Sequence, residues 1–268
     1  MANNWIIRYG SYRMVGEFEG LEEELSRGDF VILQTDRGTE TGQILCKSDE
    51  KSKKWLSNAL VGKIIRKMTS NDQTKSKEIK SEETILMKTC AELAGRRGVR
   101  LTMVDSEKLF GGERIIFYYL AEGRIDFREL VKDLAREFHT RIEMRQIGVR
   151  DEAKLLADLG DCGQPVCCNS HLVQMPPVTM RMAKMQKATM DPNKISGRCG
   201  RLKCCLRYEQ DVYDLYQKDL PEPGAVITTE KGRGKVLAQE ILSRKILVEF
   251  EDGRRLSVPA SDILDSKE

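Results

Sequence analysis

Six of the eight cysteines in this chain of 268 residues fall into two copies of one unit. Gly160-Asp161-Cys162-Gly163-Gln164-Pro165-Val166-Cys167-Cys168 recurs 37 residues later as Gly197-Arg198-Cys199-Gly200-Arg201-Leu202-Lys203-Cys204-Cys205, and both read G-x-C-G-x-x-x-C-C. A repeated cysteine spacing opened by glycine is what a thiolate-ligated inorganic centre requires, because glycine lets the backbone fold tightly around a metal and turn its N–H groups toward sulfur. Disulfides are the competing use of such thiols. The opening Met1-Ala2-Asn3-Asn4-Trp5 lacks the basic, apolar and small-residue succession of a secretory signal. No apolar run approaches the roughly 20 residues of a membrane helix. The expected setting is therefore cytoplasmic, without membrane insertion, where clustered cysteines serve metal or redox chemistry.

The internal spacing is C-x4-C-C, with a vicinal pair that suits one mononuclear zinc tetrahedron poorly. Adjacent side chains diverge on a strand and sit about 100° apart on a helix, so they address different atoms. A polynuclear iron–sulfur cluster offers several metal corners and tolerates this better, and C-x4-C also occurs in plant-type ferredoxin spacing. The expected ligands are drawn from Cys162, Cys167, Cys168, Cys199, Cys204 and Cys205, with zinc as the alternative metal. His171, four residues after Cys167, is a weaker candidate because Tyr208 stands at the matching place in the second unit. His139, at the end of a predicted helix, reads as structural. Cys46 and Cys90 read as core residues.

Net charge is only +3, so no global field marks a nucleic-acid binder. Val178 to Gln210 nevertheless holds eight cations against two anions. The plain reading is a solvated face. The sharper reading makes Arg181, Lys184, Lys187, Arg198 and Arg201 a surface for phosphates, an acidic partner or compensation of a thiolate-rich centre. Met180, Met182, Met185 and Met190 lie on the same stretch and read as core filler first, and as an adaptable partner surface second.

These residues need elements to position them, and the patterning implies an α+β protein. Residues 1–68 read as an N-terminal β segment, with Val31–Thr35 and Thr41–Leu45 flanking a glycine-bearing turn. Residues 221–268 read as a C-terminal β segment with an Asp252-Gly253 hairpin signal, packing with 1–68. Together the chain ends are expected to form a small β-barrel-like lobe or two associated β modules. Thr69 to Glu83 reads as a polar linker running into a helix whose Leu86, Cys90, Leu93 and Ala94 share a face. Strands at Val99–Asp105 and Arg114–Ala121 follow, then a helix opened by Asp126 with Phe127, Leu130, Val131, Leu134 and Phe138 inward, then a strand around Ile142–Gln146. This gives a central α-β-β-α-β layer over residues 77–150, with helices on one face of an antiparallel sheet. Residues 151–220 read as a separate loop and helix cysteine-rich module.

The stretch from Leu159 through Asn169, and that from Lys194 through Glu209, together resemble the bacterial RicT (YaaT) family, which carries a PSP-type C-terminal region. The resemblance extends over about residues 5–260 and is most specific across 158–224, where all six cysteines and the exit Pro221, Pro223 and Gly224 match. It implies a cytoplasmic, non-enzymatic regulatory subunit that binds iron–sulfur clusters, here expected as [4Fe-4S]. It implies assembly with two small helical proteins, RicA and RicF, and association with the endoribonuclease RNase Y to steer mRNA processing. In some bacteria it further implies effects on competence, biofilm formation and sporulation. The residues agree in lacking a nucleophile elbow, a Walker-type phosphate loop or a histidine metal pair. Weak RNA contact is the most that the basic stretch is expected to give. Two readings of other classes stand beside this one: a zinc-binding RNA-binding module, and a thiol-based redox enzyme using Cys167-Cys168 or Cys204-Cys205.

Overall fold

A computed structural model describes residues 4–21, 24–53, 56, 61–123, 125–174 and 176–267, so the first three residues of the chain lie outside the described set. The chain divides into two compact units: Met1–Met175 with Arg198–Arg201, and Pro176–Gly197 with Leu202–Glu268. The expected module 151–220 is thus shared out between the two, with the first cysteine unit in the first and the base of the second in the other.

The first unit begins with β1 (Trp5–Tyr9), β2 (Met14–Glu19), β3 (Phe30–Gln34), β4 (Thr39–Lys47), a one-turn α1 (Glu50–Lys53) and β5 (Gly62–Lys67). These strands close into a barrel in the order β1-β2-β5-β3-β4. Alternation along each strand sends Ile7, Phe18, Val31, Leu33, Ile44 and Ile64 inward as its core. Cys46 departs from the expected core position and is exposed. The cause is a register shift between Ile6 and Ile7: Ile7 faces Ile44 but Ile6 faces Cys46, so β4 has one residue too many there and its alternation breaks.

The stretch expected as a linker is instead the front of α2 (Ser70–Arg96), 27 residues long. Thr69 caps it by accepting from the Asp72 amide, while the Asp72 side chain accepts from the Thr69 amide at 2.8 Å. Its first half is polar because it is mostly exposed, and polarity without a terminating glycine or proline does not end a helix. Replacing Thr69 by alanine is expected to cost about 1 kcal/mol of stability, read as a shift in the denaturant midpoint. Further on, Leu86, Cys90 and Ala94 are buried, and Cys90 is wholly inaccessible, as expected.

Next come β6 (Thr102–Lys108), β7 (Arg114–Leu120), α3 (Arg128–Phe138) and β8 (Arg141–Gln146). The α-β-β-α-β order stands, with Ile115, Phe117, Leu130, Leu134 and Ile142 packed beneath α2. The sheet is mixed rather than antiparallel: β6 and β7 are antiparallel, whereas β7 and β8 are parallel because α3 carries the chain back across the face. Asp126 sits one residue before the cap position, which Phe127 occupies, and accepts from the Arg128 amide at 3.0 Å.

A buried ionic network ties the barrel to this layer. Arg37, in the turn between β3 and β4, pairs with Glu107 of β6 and lies 3.4 Å from Glu40 of β4. Tyr118 of β7 donates to Glu107 at 2.6 Å, the Ser11 amide donates to Glu107 at 2.8 Å, and Thr35 donates to Glu40 at 2.7 Å. Burial pushes the Glu40 carboxyl above the usual carboxylate range, against the opposing pull of Arg37. The unit ends with α4 (Val149–Leu156) and the single turn α5 (Cys167–Ser170).

The second unit holds α6 (Met180–Met185), α7 (Pro192–Ile195), α8 (Cys205–Gln217) and strands β9 (Val226–Thr229), β10 (Gly232–Glu240), β11 (Lys245–Phe250), β12 (Arg255–Pro259) and β13 (Ile263–Lys267). Its sheet runs β12-β11-β10-β9-β13, over a core of Leu220, Ile227, Val236, Ile246, Val248 and Phe250. Each chain end therefore builds its own sheet, in its own compact unit, in place of one barrel-like lobe shared by both ends. No helix among the described residues is long and apolar enough to cross a membrane.

Candidate functional site

The sequence repeat is also a repeat of local structure. In the first copy Leu159 bridges Pro165, the Val166 amide donates to Asp158 at 3.2 Å, and the chain enters α5 at Cys167. In the second copy Ser196 bridges Leu202, the Lys203 amide donates to Ile195 at 2.9 Å, and the chain enters α8 at Cys205 with Cys204 as its cap residue. Each is a tight hairpin with one cysteine near its tip and a vicinal pair where the following helix begins.

The turns depend on Gly163 and Gly200, whose φ values of +77° and +72° fall in the left-handed region that L side chains avoid. Gly160 has no such φ, and a Cβ there would meet Cys162 Sγ at 3.5 Å and the Gln164 carbonyl at 3.6 Å, both ordinary contacts. Alanine at Gly163 or Gly200 is expected to cost about 1–2 kcal/mol in its hairpin, and alanine at Gly160 far less. Amide exchange rates within each hairpin check this.

All eight cysteines are thiols in the structure. Cys162 is exposed, and Cys167, Cys168, Cys199, Cys204 and Cys205 are half-buried. Burial raises the Cys168 thiol above its ordinary pKa; Lys154 opposes the shift, while Cys199 and Cys167 add to it, so Cys199 lies near enough to Cys168 to be felt. Cys204 and Cys205 stand at the start of the 13-residue α8. Cys90, by contrast, is pushed up to about 12 by burial and is chemically quiet. His171 caps the end of α5, with Nδ1 3.2 Å from the Ser170 hydroxyl.

Soft thiols in glycine-turned hairpins are the right donor type for an iron–sulfur or zinc centre. Among the described residues, however, no group of three or more His, Cys, Asp or Glu side chains is already placed to hold a metal ion. The hairpins supply the ligand types, and the thiols must turn to use them.

The basic candidates separate. Arg181, Lys184 and Lys187 line one open groove of about 480 Å³ in the second unit, with Met185, Gln217 and Pro223 beside them. Arg198 and Arg201 are exposed on the second hairpin and do not line that groove. The methionine stretch is only partly core: Met180 and Met190 are exposed, Met182 is half-buried, and Met185 packs against the second core.

One group of side chains was not legible in the sequence. Arg8 of β1, Arg13 of the following turn and Lys154 of α4 line a cleft of about 220 Å³ together with Cys168, Asn169 and Ser170. Arg8 donates to the Ser170 carbonyl at 3.3 Å and Arg13 to the Asn169 carbonyl at 3.2 Å, anchoring the end of α5. Positions 8, 13 and 154 carry no common motif, and only the packing of α4 and α5 on the barrel brings them together.

Two regions of the chain match the domains of one protein class. The PSP1 C-terminal conserved region matches residues 62–147, and the third domain of PSP1-like proteins matches 177–220, a span that begins where the second compact unit begins. This is therefore a PSP1-type protein. Over 220 residues, 82% of this chain and 80% of the relative, it is 44% identical to the Stage 0 sporulation protein YaaT of Bacillus subtilis (strain 168). The chain belongs to the YaaT (RicT) family. An uncharacterized protein of Schizosaccharomyces pombe is 24% identical over 152 residues, which span 47% of this chain and 20% of that protein. No solved structure gives a significant match.

Proposed function

We propose that this protein is a non-catalytic, cytoplasmic regulatory subunit whose two cysteine hairpins hold an iron–sulfur cluster, [4Fe-4S] in type. It would assemble with small helical RicA- and RicF-like partners and modulate RNase Y-dependent mRNA processing, with consequences for sporulation in bacteria that sporulate. The observation that carries the cluster reading is the duplicated hairpin: the same C-x4-C-C spacing adopts the same turn twice and leads each time into a helix that begins within its vicinal pair. Membership of the YaaT family supports the regulatory reading, since the Bacillus subtilis relative is named for stage 0 of sporulation. The partners and the nuclease rest on the family resemblance.

Anaerobic purification followed by iron and acid-labile sulfide determination tests the cofactor. Iron and sulfide in similar amounts are expected. Zinc without sulfide would replace the cluster with a zinc centre, and thiol-dependent turnover by metal-free protein would make the chain a redox enzyme. Co-purification with the two helical proteins, in cluster-loaded and apo forms, tests assembly: tighter binding by the loaded form is expected, because a ligand and a partner that favour one state strengthen each other.

A further inference from the structure

The cleft beside α5 holds more positive charge than the protein itself balances. Arg8, Arg13 and Lys154 all line it. Among the described residues no carboxylate ion-pairs with any of the three; Asp151 is felt by Lys154 only at Coulombic range. Each guanidinium donates to one main-chain carbonyl, which uses one of its five donors. Arg8 and Lys154 are half-buried, so their charges are only partly relieved by water. Arg13 reaches the cleft from a left-handed backbone, φ +46°, that a non-glycine residue adopts at a cost. The wall is completed by the polar Asn169 and Ser170 and by apolar side chains, Met14, Val15 and Leu172 among them.

We propose that this cleft is a binding site for a phosphate monoester, a ligand separate from the cluster proposed for the hairpins. Three cations, two of them planar forks, match a dianionic phosphoryl group with several acceptor oxygens. A volume of about 220 Å³ is below the 300–1,000 Å³ of sites for drug-sized ligands, so the occupant is a phosphoryl group with a short carbon portion against Met14 and Val15. The inorganic ion and a small organic phosphate share this chemistry.

Titration calorimetry on the anaerobic, metal-free full chain tests the site, with inorganic phosphate and glycerol 3-phosphate as separate probes. Saturable binding of both, tighter for the organic phosphate, is expected. Equal binding would assign the site to the free ion and would still uphold a phosphate site. Lys154→Gln and Arg8→Gln should each weaken binding by at least about tenfold, since each removes one charge-assisted contact. Lys184→Gln, in the other groove, should leave it unchanged. Because Arg8 lies on a barrel strand, the α4 substitution is the decisive one. Cys162→Ser, at a hairpin cysteine that does not line the cleft, should retain phosphate binding even where it lowers iron content, which separates failure of this site from failure of the cluster reading. No saturable binding of either probe at millimolar concentration, or equal binding by Lys154→Gln and the parent protein, would overturn the proposal.

Discussion

Serine in place of Cys162, Cys167, Cys199 or Cys204 is expected to bring bound iron and acid-labile sulfide down toward background wherever the replaced residue is a ligand. A hydroxyl is a hard, weakly acidic donor and a poor substitute for thiolate toward iron. These four hold the five-residue offset within each hairpin, and Cys168 and Cys205 complete the candidate set. Cys46→Ser and Cys90→Ala should keep the parent iron content, because Cys46 lies at the end of a barrel strand and Cys90 is sealed in the core. Alanine rather than serine is the right control at position 90, where a buried hydroxyl would bring its own destabilisation. Unchanged iron and sulfide in all six hairpin variants would rule the hairpins out as a cluster site.

Arg37→Met is expected to destabilise the protein by about 3–5 kcal/mol, the usual result of removing one partner from a buried ionic network. Both carboxylates it serves are nearly inaccessible, with side-chain exposures of 3% for Glu40 and 6% for Glu107. Without the guanidinium they would face each other's charge in a poorly solvated interior. Tyr118→Phe removes a single hydrogen bond to Glu107, retains the charge balance, and should cost about 1–3 kcal/mol. Urea unfolding with the slope held constant distinguishes the two. Near-equal midpoints for parent and Arg37→Met would show that the network contributes little.

The parts of this fold that were legible in sequence are those where burial follows a local period. The stripe of Leu130, Val131 and Leu134 announced α3, and alternation announced the barrel strands. The front of α2 was opaque because a mostly exposed helix carries no apolar stripe, and Thr69-Ser70-Asn71-Asp72 was its only local signal. Cys46 was misplaced by a bulge, which no period foretells. The parallel pairing of β7 with β8 follows from where α3 lies, a tertiary fact. In the candidate site the cysteine repeat was plain, since both copies of the hairpin are local structures. Arg37 with Glu107, and Arg8 with Lys154, were invisible for the opposite reason: a charged residue on a strand or short helix looks solvated until a distant element covers it.

The region matched as the PSP1 C-terminal conserved region starts at residue 62, the first residue of β5. That strand is a stave of the barrel, parallel to β2 and antiparallel to β3, and the same region contains Glu107, whose counter-charge Arg37 lies outside it. Excised on its own, the segment would carry a strand stripped of both neighbours and a buried carboxylate stripped of its cation. The boundary that similarity draws is accordingly not a line along which the molecule can be cut. Shuffling this segment between proteins would require the rest of the barrel to travel with it.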